Sequence, residues 1–311
     1  VSDWQALYNR LSKNWKHLSK WAARQEIHCF RLYDKDIPSF PLIIDWYQGQ
    51  VHIQEYETHW QQTVSEHAAW LAKAQQIIAE VLKVSPEHLH SKHRHRQRGQ
   101  SQYQKTGVSG QDFIVKEQGH RFWVNLDAYV DTGLFLDHRL TRRRVEREAK
   151  NKRVLNLFCY TGAFTVYAGA GGAVASESVD LSNTYLDWAK RNLHLNQLDL
   201  NRHKLIRADV FAYLRECSAQ FDLIILDPPS FSNSAKMQGV LDIQRDHSSL
   251  IEGCLSRLSD KGSMYFSTNL RGFTLDPKWS AIAENISHQS VPDDFRNKKI
   301  HQCWRIVKPS T

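Results

Sequence analysis

Between Arg153 and Asp180 the sequence runs R-V-L-N-L-F-C-Y-T-G-A-F-T-V-Y-A-G-A-G-G-A-V-A-S-E-S-V-D, and no other stretch restricts the fold as much. Val154, Leu155, Leu157 and Phe158 form a short apolar run without charge, the pattern of a strand buried on both faces. Tyr160-Thr161-Gly162 is expected to turn tightly, because Gly162 can take backbone angles that other residues resist. Ala163 to Ala168 reads as a helix, which Gly169, Gly171 and Gly172 stop. A second apolar run, Ala173 to Val179, ends on Asp180. Strand, glycine turn, helix, strand and terminal acid make a nucleotide-binding half-unit. Its turn brings N–H groups and a helix N-terminus to the ligand, and its acid accepts from both ribose hydroxyls.

The turn holds a single glycine, so the G-x-G-x-x-G fingerprint is absent, and a pyrophosphate needs a closer backbone approach than that. A ligand with a ribose and no phosphate fits better, which makes S-adenosylmethionine the expected cofactor. Its candidate contacts are Phe158, Tyr160, Thr161 and Gly162 in the turn, Asp180, and Ser182, which also caps the next helix. An ordinary β-α-β unit with a chance aspartate has the same local pattern, so the rest of the chain has to decide.

The alternation continues downstream. A helix is expected from Ser182 to Asn196, then a strand from Lys204 to Ala208 that ends on Asp209, an acceptor placed for an adenine amino group. A helix over Val210–Cys217, a strand over Phe221–Leu226, a helix over Val240–Leu258 and strands over Gly262–Asn269 and Ile300–Val307 follow. This is the α/β class: a Rossmann-like architecture with a mostly parallel doubly wound sheet and ligands across the carboxyl ends of its strands, which with S-adenosylmethionine as the expected ligand is the architecture expected of a class I methyltransferase.

The strand at Phe221–Leu226 runs into Asp227-Pro228-Pro229-Ser230-Phe231. Two prolines remove two N–H donors and fix the backbone, which leaves carbonyls free to face a ligand. Phe231 offers a ring to stack on a planar base. All five are candidate catalytic residues, and Asp227 is a candidate for the cofactor as well. Upstream, D-T-G-L-F-L-D-H-R (131 to 139) closes an apolar run with an acid, an imidazole and a guanidinium, costly to bury without purpose. Asp137 and Arg139 join the cofactor candidates, Arg139 as a partner for the methionine carboxylate. His138 alone reads as structural.

Residues 1–110 are expected to form a smaller α+β domain that binds RNA, and residues 111–311 the cofactor-binding domain. Trp4, Leu7, Tyr8, Leu11, Trp15, Leu18, Trp21 and Ala22 recur at helical spacing over Val1–Gln25. Short strands follow between Phe30 and Tyr56, with a hairpin turn at Gly49-Gln50, then a helix over Gln61–Leu82. From His88 to Lys105 there is no acid. Lys92, Arg94, Arg96 and Arg98 alternate, as on one face of a strand, and Tyr103 offers a stacking ring. With a net charge of +8 and a pI near 9.2, this segment points to a phosphate backbone as partner. The five cysteines are scattered without a C-x-x-C pair, which argues against zinc and disulfides and for a reducing cytoplasm. No metal and no membrane span are expected. Val1 stands where a complete chain would carry Met, the start expected of a piece of something longer.

The strings N-L-F-C-Y-T-G, D-T-G-L-F-L-D-H-R, D-P-P-S-F-S-N-S and R-G-F closely resemble the bacterial large-subunit ribosomal RNA methyltransferases. The narrower resemblance is to the C-terminal half of the bifunctional 23S rRNA guanine methyltransferase, and it extends to L-Y-D-K-D-I-P, Q-Y-Q-K and H-Q-C-W. It implies methyl transfer from S-adenosylmethionine to guanine N7 of 23S rRNA, with an N-terminal guanine-N2 half as a further partner. Relatives that make 5-methylcytosine carry a cysteine where this chain has Thr268, and that chemistry needs a thiolate to add at C6. Guanine N7 has a free lone pair and needs no base. The same fold acting on guanine N2 or a pyrimidine C5, and a non-catalytic RNA-binding module, are the alternatives.

Overall fold

The computed structural model describes residues 3–56, 62–94, 110–232 and 240–309. The chain divides into two units, Val1–Gly119 with Val124–Thr132 and Asp293–Arg296, and His120–Trp123 with Gly133–Pro292 and Asn297–Thr311.

In the first unit, α1 (Trp4–Arg24) starts where the Asp3 carboxylate accepts from the Ala6 N–H. Leu7 and Leu11 on its apolar face are fully buried, each worth about 1.5–3 kcal/mol. Strands β1 (Cys29–Asp34), β2 (Leu42–Tyr47) and β3 (Gln50–Tyr56) run antiparallel in succession. The hairpin turn falls at Gln48-Gly49, one residue earlier than expected, with φ of 50° and 98° as a type I′ turn requires. Helix α2 (Val64–Leu82) carries the chain over to β4 (Leu89–Arg94), which lies parallel to β3. It starts three residues later than Gln61, because Thr63 and Glu66 close a capping box there. Strand β5 (Phe113–Glu117) belongs with this unit and bridges to Ile27. Of the basic face, Lys92 donates its Nζ to the Tyr129 carbonyl. Arg96, Arg98 and Tyr103 lie outside the described residues.

After β6 (His120–Val124) the second unit takes up α3 (Arg139–Glu148), β7 (Arg153–Leu157), α4 (Ala163–Ala170), β8 (Ala175–Asp180), α5 (Asn183–Leu195) and β9 (His203–Arg207). There follow α6 (Val210–Glu216), β10 (Phe221–Leu226), β11 (Phe231–Ser232), β12 (Leu241–Asp242), α7 (Ile243–Arg257), β13 (Leu258–Thr268), β14 (Ala283–Asn285), α8 (Ser287–Ser290) and β15 (Gln302–Val307). Seven strands form one sheet in the order β14-β15-β13-β10-β7-β8-β9. The five from β13 to β9 are parallel, and β15 and β14 add antiparallel. From β7 the chain fills one side with β8 and β9, then returns to the other with β10. The crevice at this switch point lies beyond the carboxyl ends of β7 and β10. Leu157 is in register with both Val179 and Leu226, so Phe158, Asp180 and Asp227 leave the sheet along one edge.

Two expectations shift. Helix α7 starts at Ile243 and not at Val240, because Leu241 and Asp242 pair with Ser232 and Phe231 and Asp242 then caps the helix. The edge strand β14 was not expected. Three residues with one half-buried side chain give too short a pattern to read.

Candidate active site

The turn after β7 is strained and tightly braced. Gly162 has φ of 74°, and a Cβ there would lie 3.0 Å from the Ala189 Cβ, so both its backbone and its contact with α5 demand glycine. Phe158 and Tyr160 also sit at positive φ, 54° and 50°, a cost of roughly 1–3 kcal/mol each. Gly133 supplies the bracing. Its N–H donates to the Tyr160 Oη at 3.0 Å, and its carbonyl accepts from the Thr161 Oγ1 at 2.6 Å. Asn192 of α5 donates to the Thr161 carbonyl. The Tyr160 ring rests against Phe135 and Tyr185, with centroids 5.0 and 4.6 Å away. Phe158 packs on the sheet's core.

Asp180 completes this side. Its Oδ2 accepts from the Tyr160 N–H at 3.0 Å and its Oδ1 from the Ser182 N–H at 2.9 Å. Burial pushes its pKa up to about 6, and the N–H groups of Ser182, Tyr160 and Leu181 pull the other way. Its hydrogen-bond partners are main-chain N–H groups. A carboxylate offers about four acceptor positions, so these N–H groups leave it room to accept from the ribose. Ser182 and Asp209 are helix caps: the Ser182 Oγ accepts from the Tyr185 N–H, and the Asp209 Oδ1 from the Ala212 N–H. The second Asp209 oxygen stays available to an amino group.

Across the crevice, Asp227 accepts from the Ser267 Oγ at 2.6 Å on Oδ1, and its Oδ2 lies 3.4 Å from the His138 Nε2. The Ser230 Oγ donates to the Asn269 Oδ1 at 2.6 Å, tying the loops after β10 and β13 together. Pro228 is buried, whereas Phe231 is 50% exposed on the short β11. Asp137 accepts from the His301 Nδ1 at 2.8 Å. His138 is buried, and that burial holds its pKa below the usual imidazole range against the pull of Asp227 and Asp137. Arg139 opens α3 and is fully buried, so a ligand carboxylate would reach it only by displacing its neighbours.

Sequence reasoning missed His301, Ser267 and Asn269. They stand just before β15, on β13 and just after β13, far in sequence from their partners, and only the H-Q-C-W string drew attention to His301. The residues fit S-adenosylmethionine: a buried carboxylate held by N–H groups, a glycine at a helix start and a capping acid with an oxygen to spare. A thiolate mechanism does not fit. Burial pushes the Cys159 thiol well above its ordinary value and the Cys303 thiol up to about 12. Thr268 is buried and accepts from the Leu270 N–H. A separate cleft lined by Arg153, Glu177, Arg202 and Lys204 opens at the amino edge of the sheet, away from this chemistry. Among the described residues no helix is long and apolar enough to cross a membrane.

A family model described as S-adenosylmethionine-dependent methyltransferase matches residues 32–262. Ribosomal RNA large subunit methyltransferase K of Neisseria meningitidis serogroup B is 56% identical over 311 residues, covering 98% of this chain and 88% of that protein. Ribosomal RNA large subunit methyltransferase K/L of Marinobacter nauticus is 50% identical over 308 residues, 96% of this chain but 42% of that protein. The chain thus spans less than half the length of the K/L relatives it matches. Among solved structures, an S-adenosylmethionine-dependent methyltransferase from Streptococcus mutans aligns with a TM-score of 0.78 at 26% identity, over 99% of this chain and 82% of that one. A methyltransferase complexed with SAH aligns equally well, at 0.78 and 25% identity over the same shares of both chains.

Proposed function

The chain belongs to the S-adenosylmethionine-dependent methyltransferase family, and from that premise we propose that it methylates guanine N7 of 23S ribosomal RNA. The observation that carries this reading is the pair of acids, Asp180 and Asp227, at the carboxyl ends of the two strands that flank β7 at the switch point, with the half-exposed Phe231 near the second. The names of the K and K/L relatives support ribosomal RNA as the substrate.

Asp180 and the turn 158–162 would hold the ribose, and the spare oxygen of Asp209 the adenine amino group. When bound, S-adenosylmethionine supplies an electrophilic methyl whose S–C bond pair returns to sulfur as the N7 lone pair takes the carbon, with no proton lost. The chain's own task is to orient the base and exclude water. Phe231 would stack on the guanine, and carbonyls near Pro228 would accept from its edge. N7 of a paired guanine lies in the deep, narrow major groove of A-form RNA, so the target must be unpaired or extruded. The buried, protonated thiols and Thr268 favour guanine over a pyrimidine C5.

We propose that the first unit, with the basic segment that continues from β4, grips the RNA backbone, and that the protein works in the cytoplasm. A guanine-N2 half is the proposed companion in the longer K/L type of chain. The deciding experiment maps modified nucleosides by mass spectrometry in 23S rRNA from a deletion strain, and in deletion-strain RNA treated with the purified chain. Loss and restoration of one 7-methylguanosine is expected. A missing N2-methylguanosine or 5-methylcytidine instead would replace the N7 assignment. RNA affinity should also fall with salt, and Arg94, Arg96 and Arg98 changed to Gln should flatten that slope by up to about one unit per lost contact. An unchanged slope would remove the segment from the interface.

A further inference from the structure

Six side chains from five parts of the second unit form a buried polar chain that ends on the acid of the D-P-P-S-F turn. The Ser290 Oγ pairs with the His301 Nε2 at 2.9 Å, and the His301 Nδ1 with the Asp137 Oδ2 at 2.8 Å. His138 lies flat on His301, with ring centroids 4.5 Å apart and planes 5° apart. Its Nε2 is 3.7 Å from the Asp137 Oδ2 and 3.4 Å from the Asp227 Oδ2. The Ser267 Oγ closes the chain on the Asp227 Oδ1 at 2.6 Å.

The hydrogen-bond logic runs one way. His301 faces a carboxylate with Nδ1, so that nitrogen carries a proton and occupies the Asp137 Oδ2. His138, kept neutral by burial, has one proton to place. Its Nδ1 is buried with no hydrogen-bond partner among the described residues, while its Nε2 faces two carboxylates. The proton therefore belongs on Nε2, and Asp227 is the nearer acceptor. A gap of 3.4 Å is longer than a hydrogen bond to a carboxylate, as expected of a contact that tightens when substrate fills the site. The edge of Phe164 and the stacked His301 leave the His138 ring little room to turn.

We propose that His138 is a positioning residue for methyl transfer, backed by His301 and Asp137, which fixes the Asp227 carboxylate and the Pro228–Pro229 turn against the target base. The inference rests on the guanine-N7 reading for its purpose. N7 gains positive charge as it takes the methyl group, and a carboxylate held on Oδ1 by Ser267, with His138 closing on Oδ2, meets that charge with little reorganisation. In this role His138 acts through Asp227 and not on the cofactor or the base.

Three measurements on the full chain test it. Histidine 15N spectra should show His138 as the Nε2–H tautomer, with a shift on Asp227→Asn. An Nδ1–H tautomer, or no response to that change, overturns the proposal. In single-turnover assays His138→Gln, whose amide reaches the Nε2 position, should keep most of the wild-type rate. His138→Asn, which cannot reach it, should lose about tenfold to a hundredfold with cofactor affinity unchanged. Equal rates for the two variants, or a fall in cofactor affinity that accounts for the loss, overturns it. So does a stoichiometric divalent cation in the purified protein, because the same nitrogen and oxygen atoms of Asp137, His138 and His301 lie close enough to share one. If the wild-type chain transfers no methyl group, the N7 reading has failed separately. The tautomer and its response to Asp227→Asn then decide the inference.

Discussion

The two sides of the crevice are built from different materials. On the side of β8, the acid that faces the ligand is held by main-chain groups: N–H groups of Tyr160 and Ser182, in and beside a turn with two non-glycine residues at positive φ, braced by Gly133. On the side of β10 they are side chains: Asp227 on Ser267 and near His138, Ser230 on Asn269, and Asp137 on His301. A backbone cradle is set by φ angles and close packing, so it breaks when a Cβ is added. A side-chain network survives such changes nearby and breaks when one hydrogen-bonding atom is removed. The cofactor side should thus fail through folding and affinity, and the target side through turnover alone.

The sharpest break is Gly133→Ala. The residue sits at φ 98°, and a Cβ would come within 2.3 Å of the Trp188 ring. Left-handed strain and overpacking together should cost about 2–4 kcal/mol of stability and loosen the turn that Gly133 braces. Thermal unfolding and cofactor titration measure both, and a variant with the wild-type melting temperature would mean that the loop moves freely.

Asp180 separates folding from binding. Asp180→Ala should cost roughly 1.5–3 kcal/mol of cofactor affinity, or about tenfold to a hundredfold. Its folded pKa, about 6, is above the ordinary aspartate value of 3.8, so the folded state holds the proton more tightly than the unfolded state does. The carboxylate thus lowers stability progressively as pH rises from about 4 to about 6, by up to about 3 kcal/mol in all. Asp180→Asn carries no such charge, though its NH2 cannot accept from an N–H, so its melting temperature should gain on the wild type as pH rises from about 4 to about 8 while it binds the cofactor less well. Ribose hydroxyls favour the ionised acid, so wild-type affinity should fall as pH drops below about 6 and that of Asp180→Asn should not. Parallel pH profiles for the two would remove Asp180 from the ribose.

Those two construction styles also explain what the sequence discloses. The backbone cradle is contiguous: strand, turn, helix, strand and acid occupy 153–180, and each step has a local signature, so the turn and the acid-terminated strand can be read directly. Gly133 is an exception, for its role depends on Trp188, which comes 55 positions later. The target side is not contiguous. Asp137 and His301 are 164 positions apart, Asp227 and Ser267 are 40, and no periodicity links them. The D-P-P turn shows one end of that network and D-H-R the middle, but Ser267 reads as an ordinary strand residue. Arg139 shows the opposite limit. A guanidinium beside an acid reads as a ligand contact, and only packing reveals that it is fully buried. Ser182 caps a helix as its sequence suggests, and Asp209, expected as a ligand acceptor, also caps one.

On the target side Phe231→Ala should lower turnover by roughly 1–3 kcal/mol, the scale of base–aromatic stacking, with cofactor affinity unmoved. The ring is 50% exposed, so its loss removes little core packing and the melting temperature should hold. A variant that binds cofactor and methylates at the wild-type rate takes Phe231 out of the site. One that unfolds shows that the β11–β12 pairing depends on the ring.

The smallest effect tests the comparison most closely. The Ser230 Oγ donates to the Asn269 Oδ1 at 2.6 Å, and this bond links the D-P-P loop to the loop after β13. Both groups reach solvent, so after Ser230→Ala water can replace the lost donor, and the cost should be about 0.5–1.5 kcal/mol. The backbone of the turn stays anchored, because the Ile243 N–H donates to the Ser230 carbonyl whatever the side chain is. Turnover should therefore fall by no more than about tenfold, cofactor affinity should not change, and Asn269→Ala should produce the same fall without adding to it. Additive losses in the double variant would mean that the two side chains act separately on the substrate. A loss of cofactor affinity in Ser230→Ala would show that the two sides of the crevice share support, against the division between backbone cradle and side-chain network.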